Sequence, residues 1–99
     1  MSDQDRIQLV LITIEVLISD ANSLKARRSA LNKIKDRIKS RFNASVAEVG
    51  ELDKWQRASL AVSMISNERK KLQTDVDKLE ASLLSMTEVS VNRFSTEWY

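Results

Sequence analysis

Apolar residues alternate with mixed positions near the start of the chain. Every second residue from position 10 to position 18 is Val or Ile. This period of two, in a segment rich in β-branched side chains, predicts a strand over residues 7–18 with one buried face. The intervening positions are mixed in character: Leu9, Leu11, Thr13, Glu15 and Leu17. The second face of this strand is therefore predicted to be partly apolar.

Two later segments repeat apolar residues at spacings of three and four, which predicts helices. The first set follows turn and cap residues at positions 20–23 and comprises Leu24, Leu31, Ile34, Ile38 and Phe42. It predicts a helix of about 20 residues. The second set comprises Leu72, Val76, Leu79, Leu83 and Met86. Ser66 or Asn67 is the predicted N-cap of that second helix.

Three further strands complete the predicted order of elements. Residues 44–49 and 57–65 are joined by a polar stretch that contains Gly50, and Val89 with Val91 predicts a short last strand. Residues 1–6 and 95–99 are expected to be tails of a single domain spanning residues 1–99. The order β-α-β-β-α-β is that of the α+β ferredoxin-like fold. In this split βαβ arrangement, two helices cover one face of a four-stranded antiparallel sheet.

Composition narrows the classes of function. The 99 residues include no His, no Cys and one Gly. A catalytic His or Cys, the common zinc, haem and iron–sulfur ligand sets, and glycine-rich phosphate loops are therefore excluded. The remaining nucleophiles and carboxylates show no spacing typical of a catalytic pair. We therefore expect a binding protein rather than an enzyme, with no cofactor and no small-molecule substrate.

The charge and hydropathy of the chain indicate a cytoplasmic protein. The first six residues carry two Asp and one Arg, which is the wrong sign for a secretory signal. No apolar run approaches the length that spans a bilayer. We therefore expect no membrane partner.

Positive charge is concentrated in the first predicted helix. Residues 23–42 hold eight Lys or Arg and one Asp, a net charge of +7, so the remaining residues carry −5 to give the overall +2. On a helical projection of about 100° per residue, four of these basic residues fall in one arc of about 80° beside the apolar stripe, with Asn32 among them. These four form the basic ridge: Lys25, Arg28, Lys35 and Lys39.

A linear basic ridge binds phosphates through charge and the release of counterions. Two other interpretations of the ridge stay open. The first is a solvated helix face, with or without acidic partners on a neighbouring element. The second is a helix lying on an anionic membrane, which is disfavoured because the apolar stripe is needed for the core.

Trp55 and Arg57 lie in a polar stretch between two predicted strands, where the alternation does not require a large aromatic residue. Trp55 can stack on a base or anchor a protein partner, with Arg57 beside it as a second nucleic-acid contact. Alternatively, Trp55 folds back and closes the end of the core.

Leu9, Leu11 and Leu17 define a predicted dimer interface. They lie on the sheet face that the helices leave uncovered, so they would form an apolar patch in water unless a second subunit or the C-terminal tail covered them. Trp98 and Tyr99 are either part of that cover or a frayed tail.

Three carboxylates cluster near the predicted hairpin, on Glu48, Glu51 and Asp53. Such an oxygen-rich cluster can hold a hard divalent cation. Carboxylates in a loop more often serve solubility, and no metal site is predicted from them.

Three separated segments resemble the signatures of the YlxP-like proteins, a bacterial domain-of-unknown-function family (family 503). They are residues 23–28 (SLKARR), 41–49 (RFNASVAEV) and 55–58 (WQRA). Ala26 and Ala61 stand where an acidic residue and a glycine are usual. The resemblance implies a similar ferredoxin-like fold. It also implies a ribosome-linked role by association, because genes of the family commonly lie beside translation and ribosome-maturation genes.

Two hypotheses of function follow. The first is a non-enzymatic RNA- or ribosome-associated accessory protein whose basic ridge binds phosphates of structured RNA or of a ribosomal particle. Trp55 and Arg57 then supply a second contact. The alternative is a homodimeric protein-interaction module that uses the open sheet face. Salt-sensitive RNA binding favours the first hypothesis, and a size that depends on concentration favours the second.

Overall fold

Six elements are found in the described part of the chain, which comprises residues 6–18, 23–50 and 56–99 of a computed structural model. The strands are β1 (Gln8–Ile18), β2 (Ala44–Val49), β3 (Arg57–Ser66) and β4 (Val89–Trp98). The helices are α1 (Leu24–Arg41) and α2 (Arg69–Leu84). The order β-α-β-β-α-β is the predicted one.

The four strands form one antiparallel sheet in the order β2-β3-β1-β4. β1 pairs with β3 on one side and β4 on the other, so that Ile14 lies opposite both Leu60 and Phe94. β2 pairs with β3 and lies at one edge of the sheet, and β4 lies at the other edge. Each βαβ unit therefore encloses a strand of the other unit, as in the split βαβ arrangement. The predicted ferredoxin-like α+β fold is confirmed.

The core lies between the helices and the sheet face formed by the Val and Ile set of β1. Ile12 and Ile14 have no exposed surface, and neither has Leu60 on the adjacent β3. The helices cover this face with Leu31, Ile34, Ile38, Leu72, Val76, Leu79 and Leu83. Each such side chain stabilises the fold by about 1.5–3 kcal/mol when it leaves water. Leu24, although part of the predicted apolar stripe, lies outside the core with 54% of its surface exposed.

Local signals set the start of α1 and the end of β2. The backbone of Ser23 is extended, and its hydroxyl accepts a hydrogen bond of 3.1 Å from the backbone N–H of Ala26. This bond satisfies one of the donors that have no partner within the helix. Gly50 follows β2 with φ at +88°, a conformation that glycine adopts at little cost.

The start of α2 differs from the prediction. Its N-cap is Glu68 rather than Ser66 or Asn67, and the Glu68 side chain makes no capping bond. The hydroxyl of Ser66 instead accepts a hydrogen bond of 3.1 Å from the backbone N–H of Glu68. The Ser66 hydroxyl therefore orders the turn before α2. It does not cap the helix, because it accepts from the N–H of the N-cap residue rather than from an N–H of the first helical turn.

β4 is the element that departs most from the prediction. The sequence predicts a tail over residues 95–99, but residues 95–98 are paired with β1, and the N–H of Tyr99 donates to the carbonyl of Leu9 at 2.9 Å. Residues 95–97 are all polar, so this segment shows no alternation of apolar and polar side chains. It forms a strand because the backbone groups of β1 pair with it. Trp98 lies opposite Val10 on the helix-covered face, with the Arg69 guanidinium 3.5 Å from its ring centre. Trp98 therefore does not cover the open face.

Tyr99 provides a spectroscopic test of the end of β4, because it is the sole tyrosine in the sequence. Its hydroxyl donates to Oε2 of Glu97 at 3.0 Å, and this bond raises the pKa of Tyr99, since only the neutral phenol can donate. We expect absorbance titration to show tyrosinate forming at higher pH in the native than in the denatured protein. Glu97→Gln is expected to reduce the difference.

The same bond links the Tyr99 pKa to stability. The pKa of Tyr99 is higher in the folded than in the unfolded state. The Tyr99–Glu97 bond therefore stabilises the fold below the unfolded-state pKa, and this stabilisation is lost as the pH rises through the folded-state pKa. Equal pKa values in the native and denatured states would show that the Tyr99–Glu97 bond does not form in solution.

Candidate nucleic-acid interface

α1 carries eight basic side chains, and the structure divides them into two groups of four. One group contacts other elements: Arg27, Lys33, Arg37 and Arg41. The other group is the basic ridge, whose side chains form no ion pair or hydrogen bond with any described residue. The ridge is therefore the part of the positive charge that the fold itself does not use.

The flank of α1 that faces α2 is held by hydrogen bonds and one ion pair. Arg37 donates to the backbone carbonyl of Ser82 at 3.1 Å, and Arg41 donates to the Ser82 hydroxyl at 3.2 Å. The amine of Lys33 lies 3.6 Å from the carboxylate of Glu88. A hydrogen bond from its own backbone N–H is the main cause that lowers the pKa of Glu88, and the charge of Lys33 adds to it. These contacts orient α1 against α2.

Arg27 is the buried basic residue of α1, with 7% of its surface exposed. Its Nη2 lies 2.7 Å from Oε1 of Glu48 and donates to the carbonyl of Arg57 at 3.3 Å. Glu48 lies opposite Leu60, on the face of β2 that the helices cover. No well-aligned hydrogen bond from a described residue reaches the buried Oε1, so its contact with Arg27 is ionic. The pair ties the start of α1 to β2 and β3.

The basic ridge runs along the flank of α1 away from α2. From Lys25 to Lys39 it rises fourteen residue steps along the helix, about 21 Å at 1.5 Å per step. Lys25, Arg28 and Lys39 are exposed and Lys35 is half-buried. The exposed Asn32 lies between Arg28 and Lys35. The ridge therefore presents four positive charges and one amide in a line.

A groove of about 220 Å³ lies beside the ridge, between α1 and β2. It is lined by Leu24, Arg27, Arg28, Leu31, Asn32, Lys35 and Glu48. Arg28, Asn32 and Lys35 thus border one concavity. The carboxylate of Glu48 would repel an anion there, but its ion pair with Arg27 compensates the charge.

The predicted second contact does not share the surface of the ridge. Arg57 lies opposite Leu17, which places its side chain on the open face of the sheet, whereas the ridge lies on the helix side. There Arg57 borders a separate hollow of about 290 Å³ together with Glu15 and Asn92. Trp55 lies outside the described residues. The structure therefore brings the four ridge residues together and leaves Arg57 apart from them.

Comparison with known proteins places the chain in a family. The family described as "Protein of unknown function (DUF503)" matches residues 9–96. The chain belongs to the DUF503 family. The "Uncharacterized protein YlxP" of Bacillus subtilis (strain 168) is 34% identical to it over 85 residues, which are 86% of this chain and 92% of that protein. The resemblance found in the three sequence segments is confirmed.

A solved structure described as "Structural Genomics, protein YJCS" resembles this DUF503 chain with a TM-score of 0.51. The match covers 90% of this chain and 96% of that one, at 9% sequence identity. At such low identity the likeness shows the fold alone. The chemistry of this DUF503 protein must therefore be argued from its own residues.

The open face of this DUF503 protein carries the three residues predicted to form a dimer interface. Leu9 and Leu11 are half-buried, and Leu17 is 39% exposed. In the middle of this face their neighbours on β2 and β3 are small: Ser45, Ala47, Ser59, Ala61 and Ser63. At one end of the face, Leu9 lies opposite Ile65, which is 54% exposed. The middle of this face is therefore weakly apolar, and dimerisation through Leu9, Leu11 and Leu17 stays a prediction.

The acidic cluster near the hairpin is only partly described. Glu48 is engaged by Arg27, and Glu51 and Asp53 lie outside the described residues. Elsewhere in the described ranges, no group of three acidic side chains is arranged to hold a metal ion. Neither α1 nor α2 combines the length and the hydropathy that a membrane-spanning helix needs.

Sequence reasoning missed the pair of Arg27 and Glu48. Arg27 lies four residues before Leu31, on the apolar stripe of α1, and Glu48 occupies the core-facing set of β2. A charged residue at an apolar position is uncommon unless it is paired. An Arg at a core-facing position of one element and a Glu at a core-facing position of the next element therefore indicate a buried ion pair, and this signal could have predicted it.

Proposed function

We propose that this DUF503 protein is a non-enzymatic RNA-binding protein that holds structured RNA, such as the RNA of a ribosomal particle, by its phosphate backbone. The division of the basic residues of α1 is the observation that carries the proposal. Four of them are engaged within the fold, whereas the four ridge residues form no ion pair or hydrogen bond with a described residue, and three of the four are exposed. Basic residues needed only for the fold would not be left in a separate line.

The side chains of the ridge suit the chemistry of an RNA backbone. Lys25, Lys35 and Lys39 supply mobile point charges, and Arg28 supplies a planar donor that can bind a phosphate through two hydrogen bonds. The amide of Asn32 can donate to a phosphate or a 2′-hydroxyl oxygen. The 2′-hydroxyl is what distinguishes RNA from DNA at such a site.

The open face of the sheet supports contact with phosphates rather than bases. RNA-recognition modules on similar sheets display aromatic residues on their central strands. The corresponding positions here hold Leu9, Leu11, Thr13, Ala61 and Ser63. Base stacking on this face is therefore not expected, and binding through the ridge should depend weakly on RNA sequence.

Fluorescence anisotropy tests the proposal, using structured ribosomal RNA fragments and duplex DNA of equal length from low to physiological salt. Micromolar RNA binding that exceeds DNA binding is expected. Four neutralised phosphates give a slope of log affinity against log salt of about −3 to −4. Replacing all four ridge residues with Glu is expected to abolish binding and to leave the unfolding midpoint nearly unchanged, because their side chains form no ion pair or hydrogen bond with a described residue.

Two matched double variants separate the ridge from net charge. Arg28→Glu/Lys35→Glu alters the ridge, Lys70→Glu/Lys78→Glu alters α2, and each lowers the net charge from +2 to −2. The ridge variant is expected to lose about 100-fold in affinity and about two units of salt slope, and the α2 variant less than about threefold. Equal losses in both variants, or equal binding to RNA and DNA, would contradict the proposal.

A further inference from the structure

β4 is an edge strand with an open outer side. It spans Val89–Trp98 and pairs with β1, and no other described strand lies beside it. The unpaired backbone groups of an exposed edge are a template for another strand. Proteins block such edges with short strands, Pro, Lys or a charge pointing inward. A β-bulge also protects an edge, and β4 has one register shift, at Asn92. From Arg93 to Trp98 the strand pairs regularly with β1 and contains neither Pro nor Lys.

The opposite edge of the sheet is protected. β2 has only six residues, and Glu48 is a charge directed inward from it. The basic ridge lies beside this edge, so a second copy pairing there would bring like charges together. In contrast, the helix-side residues of β4 are uncharged: Phe94, Thr96 and Trp98. β4 is therefore the edge that is open to pairing.

The backbone groups of β4 alternate in direction. The N–H of Tyr99 donates to Leu9 on β1, so residues 95, 97 and 99 direct their backbone groups toward β1. Phe94, Thr96 and Trp98 direct theirs outward. On either side of Ser95, the two N–H and two C=O groups of Phe94 and Thr96 are thus available to a neighbouring strand.

One antiparallel register makes β4 complementary to a second copy of itself. When Ser95 lies opposite Ser95 of the second copy, Arg93 lies opposite Glu97, and the two-fold symmetry forms this charged pair twice. Arg93 and Glu97 are both exposed, and Arg93 forms no ion pair with a described residue. Moving the symmetry centre to residue 94 or 96 pairs Arg93 with Ser95 or Tyr99 and loses both ion pairs.

The same register satisfies the outward backbone groups of Phe94 and Thr96. Phe94 and Thr96 of opposite copies become hydrogen-bonded pairs and exchange four hydrogen bonds in total. Arg93 and Glu97 then fall in non-hydrogen-bonded pairs, in which opposite side chains lie closest. Backbone geometry and side-chain charge therefore favour one register.

We propose that two copies of this chain form a two-fold dimer by antiparallel pairing of their β4 strands, which gives a continuous eight-stranded sheet. The register shift beside Glu15 and Val16 leaves Asn92 unpaired and ends the regular part of β4. The contact is therefore smaller than a standard interface of about 1,600 Å². The dimer dissociates on dilution, with Kd in the range of about 1–100 μM.

The dimer has one consequence for the proposed function, although it does not depend on RNA binding. The two-fold axis runs perpendicular to the sheet, so both helix layers lie on the same side. The β2 strands lie about 34 Å apart, seven strand spacings of about 4.8 Å. One basic ridge lies near each of these outer edges, and an RNA that reaches both gains affinity through avidity.

Sedimentation velocity of the full chain tests the dimer between about 1 and 300 μM, a range that brackets the expected Kd. The weight-average mass should rise from 11.3 kDa toward twice that value. Arg93→Glu and Glu97→Arg each place like charges opposite one another twice, and each should keep the protein monomeric. The combined swap Arg93→Glu/Glu97→Arg restores complementarity and should restore the dimer.

Arg57→Glu is the matched control, because it makes the same charge change on β3, away from the β4 edge. It should leave the dimer intact. Loss of the dimer in Leu9→Asp/Leu11→Asp but not in Arg93→Glu would assign the interface to the open face and overturn the proposal. A wild-type protein that stays monomeric at 300 μM, or a charge swap that does not restore the dimer, would also overturn it.

Amide hydrogen exchange locates the interface independently of these variants. The N–H groups of Phe94 and Thr96 should exchange more than tenfold more slowly at high than at low protein concentration. The N–H groups of Ser95 and Glu97, which face β1, should not depend on concentration. Exchange at Phe94 and Thr96 that is independent of concentration while the mass doubles would place the interface elsewhere.

Discussion

Replacing Ile34 with alanine is expected to lower the free energy of unfolding by about 3–4 kcal/mol. The Ile34 side chain lies in the middle of α1 and has no exposed surface. Its truncation removes three carbon atoms from a close-packed interior and leaves a cavity that the surrounding side chains only partly fill. The loss is large because the whole free energy of unfolding of a domain is usually about 5–15 kcal/mol.

Urea denaturation measures this effect, and the thermal midpoint should fall by about 15–25 °C. Ile65→Ala is the control of the same chemistry, because Ile65 is 54% exposed on the open face. Its loss should stay below about 1 kcal/mol. Similar losses in the two variants would show that α1 does not pack on the sheet as described, and the basic ridge would then lack its support.

Glu48→Gln is expected to lower the free energy of unfolding by about 2–3 kcal/mol. The change keeps the shape of the side chain but removes the carboxylate charge that lies 2.7 Å from the buried guanidinium of Arg27. Breaking a buried ion pair usually costs about 3–5 kcal/mol, and the lower value follows from the 18% exposure of the Glu48 side chain, which lets water screen the site.

The double variant Arg27→Met/Glu48→Leu separates the cost of removing one charge of the pair from the net contribution of the ion pair to stability. It removes both charges, so we expect it to be more stable than Glu48→Gln. Asp75→Asn breaks the exposed pair between Lys71 and Asp75 on α2, and its loss should stay below about 0.5 kcal/mol. A Glu48→Gln loss as small as that of Asp75→Asn would contradict a structural role for the buried pair.

The regular elements were predictable because their signals are local. The Val and Ile set of β1 forms the sheet side of the core, and the stripes of α1 and α2 lie against it. The alternation of β3 from Ala58 to Met64 was equally clear, because the helices cover one face of the sheet and bury every second side chain of this strand. The order of these elements then restricted the fold to the split βαβ arrangement.

β4 and the start of α2 were predicted less well, because long-range contacts govern them. Residues 95–98 carry polar side chains and show little alternation, so only the backbone of β1 explains why they form a strand. Glu68 is the N-cap of α2 although Ser66 and Asn67 are better capping residues. The length of β3, which extends to Ser66, sets where the helix can begin.

The candidate site was predicted in part. A helical projection identified Lys25, Arg28, Lys35 and Lys39 as neighbours, because residues three and four apart share a helix face. It did not show that the other basic residues of α1 have partners on β2, on α2 and in the segment between α2 and β4. Arg57 was grouped with the ridge because it is basic and follows the hairpin, but the pleat of β3 directs it to the opposite face.

By itself, the sequence determined the order of the elements, their buried faces, the charge of the first helix and the lack of His and Cys. These properties follow from composition and from periods of two and 3.6 residues, which any short segment carries alone. The tertiary structure decided which charges are engaged, that residues 95–98 pair with β1, and that β2 is a protected edge while β4 is open. Those features depend on backbone pairing and burial between residues far apart in the chain, which no local pattern records.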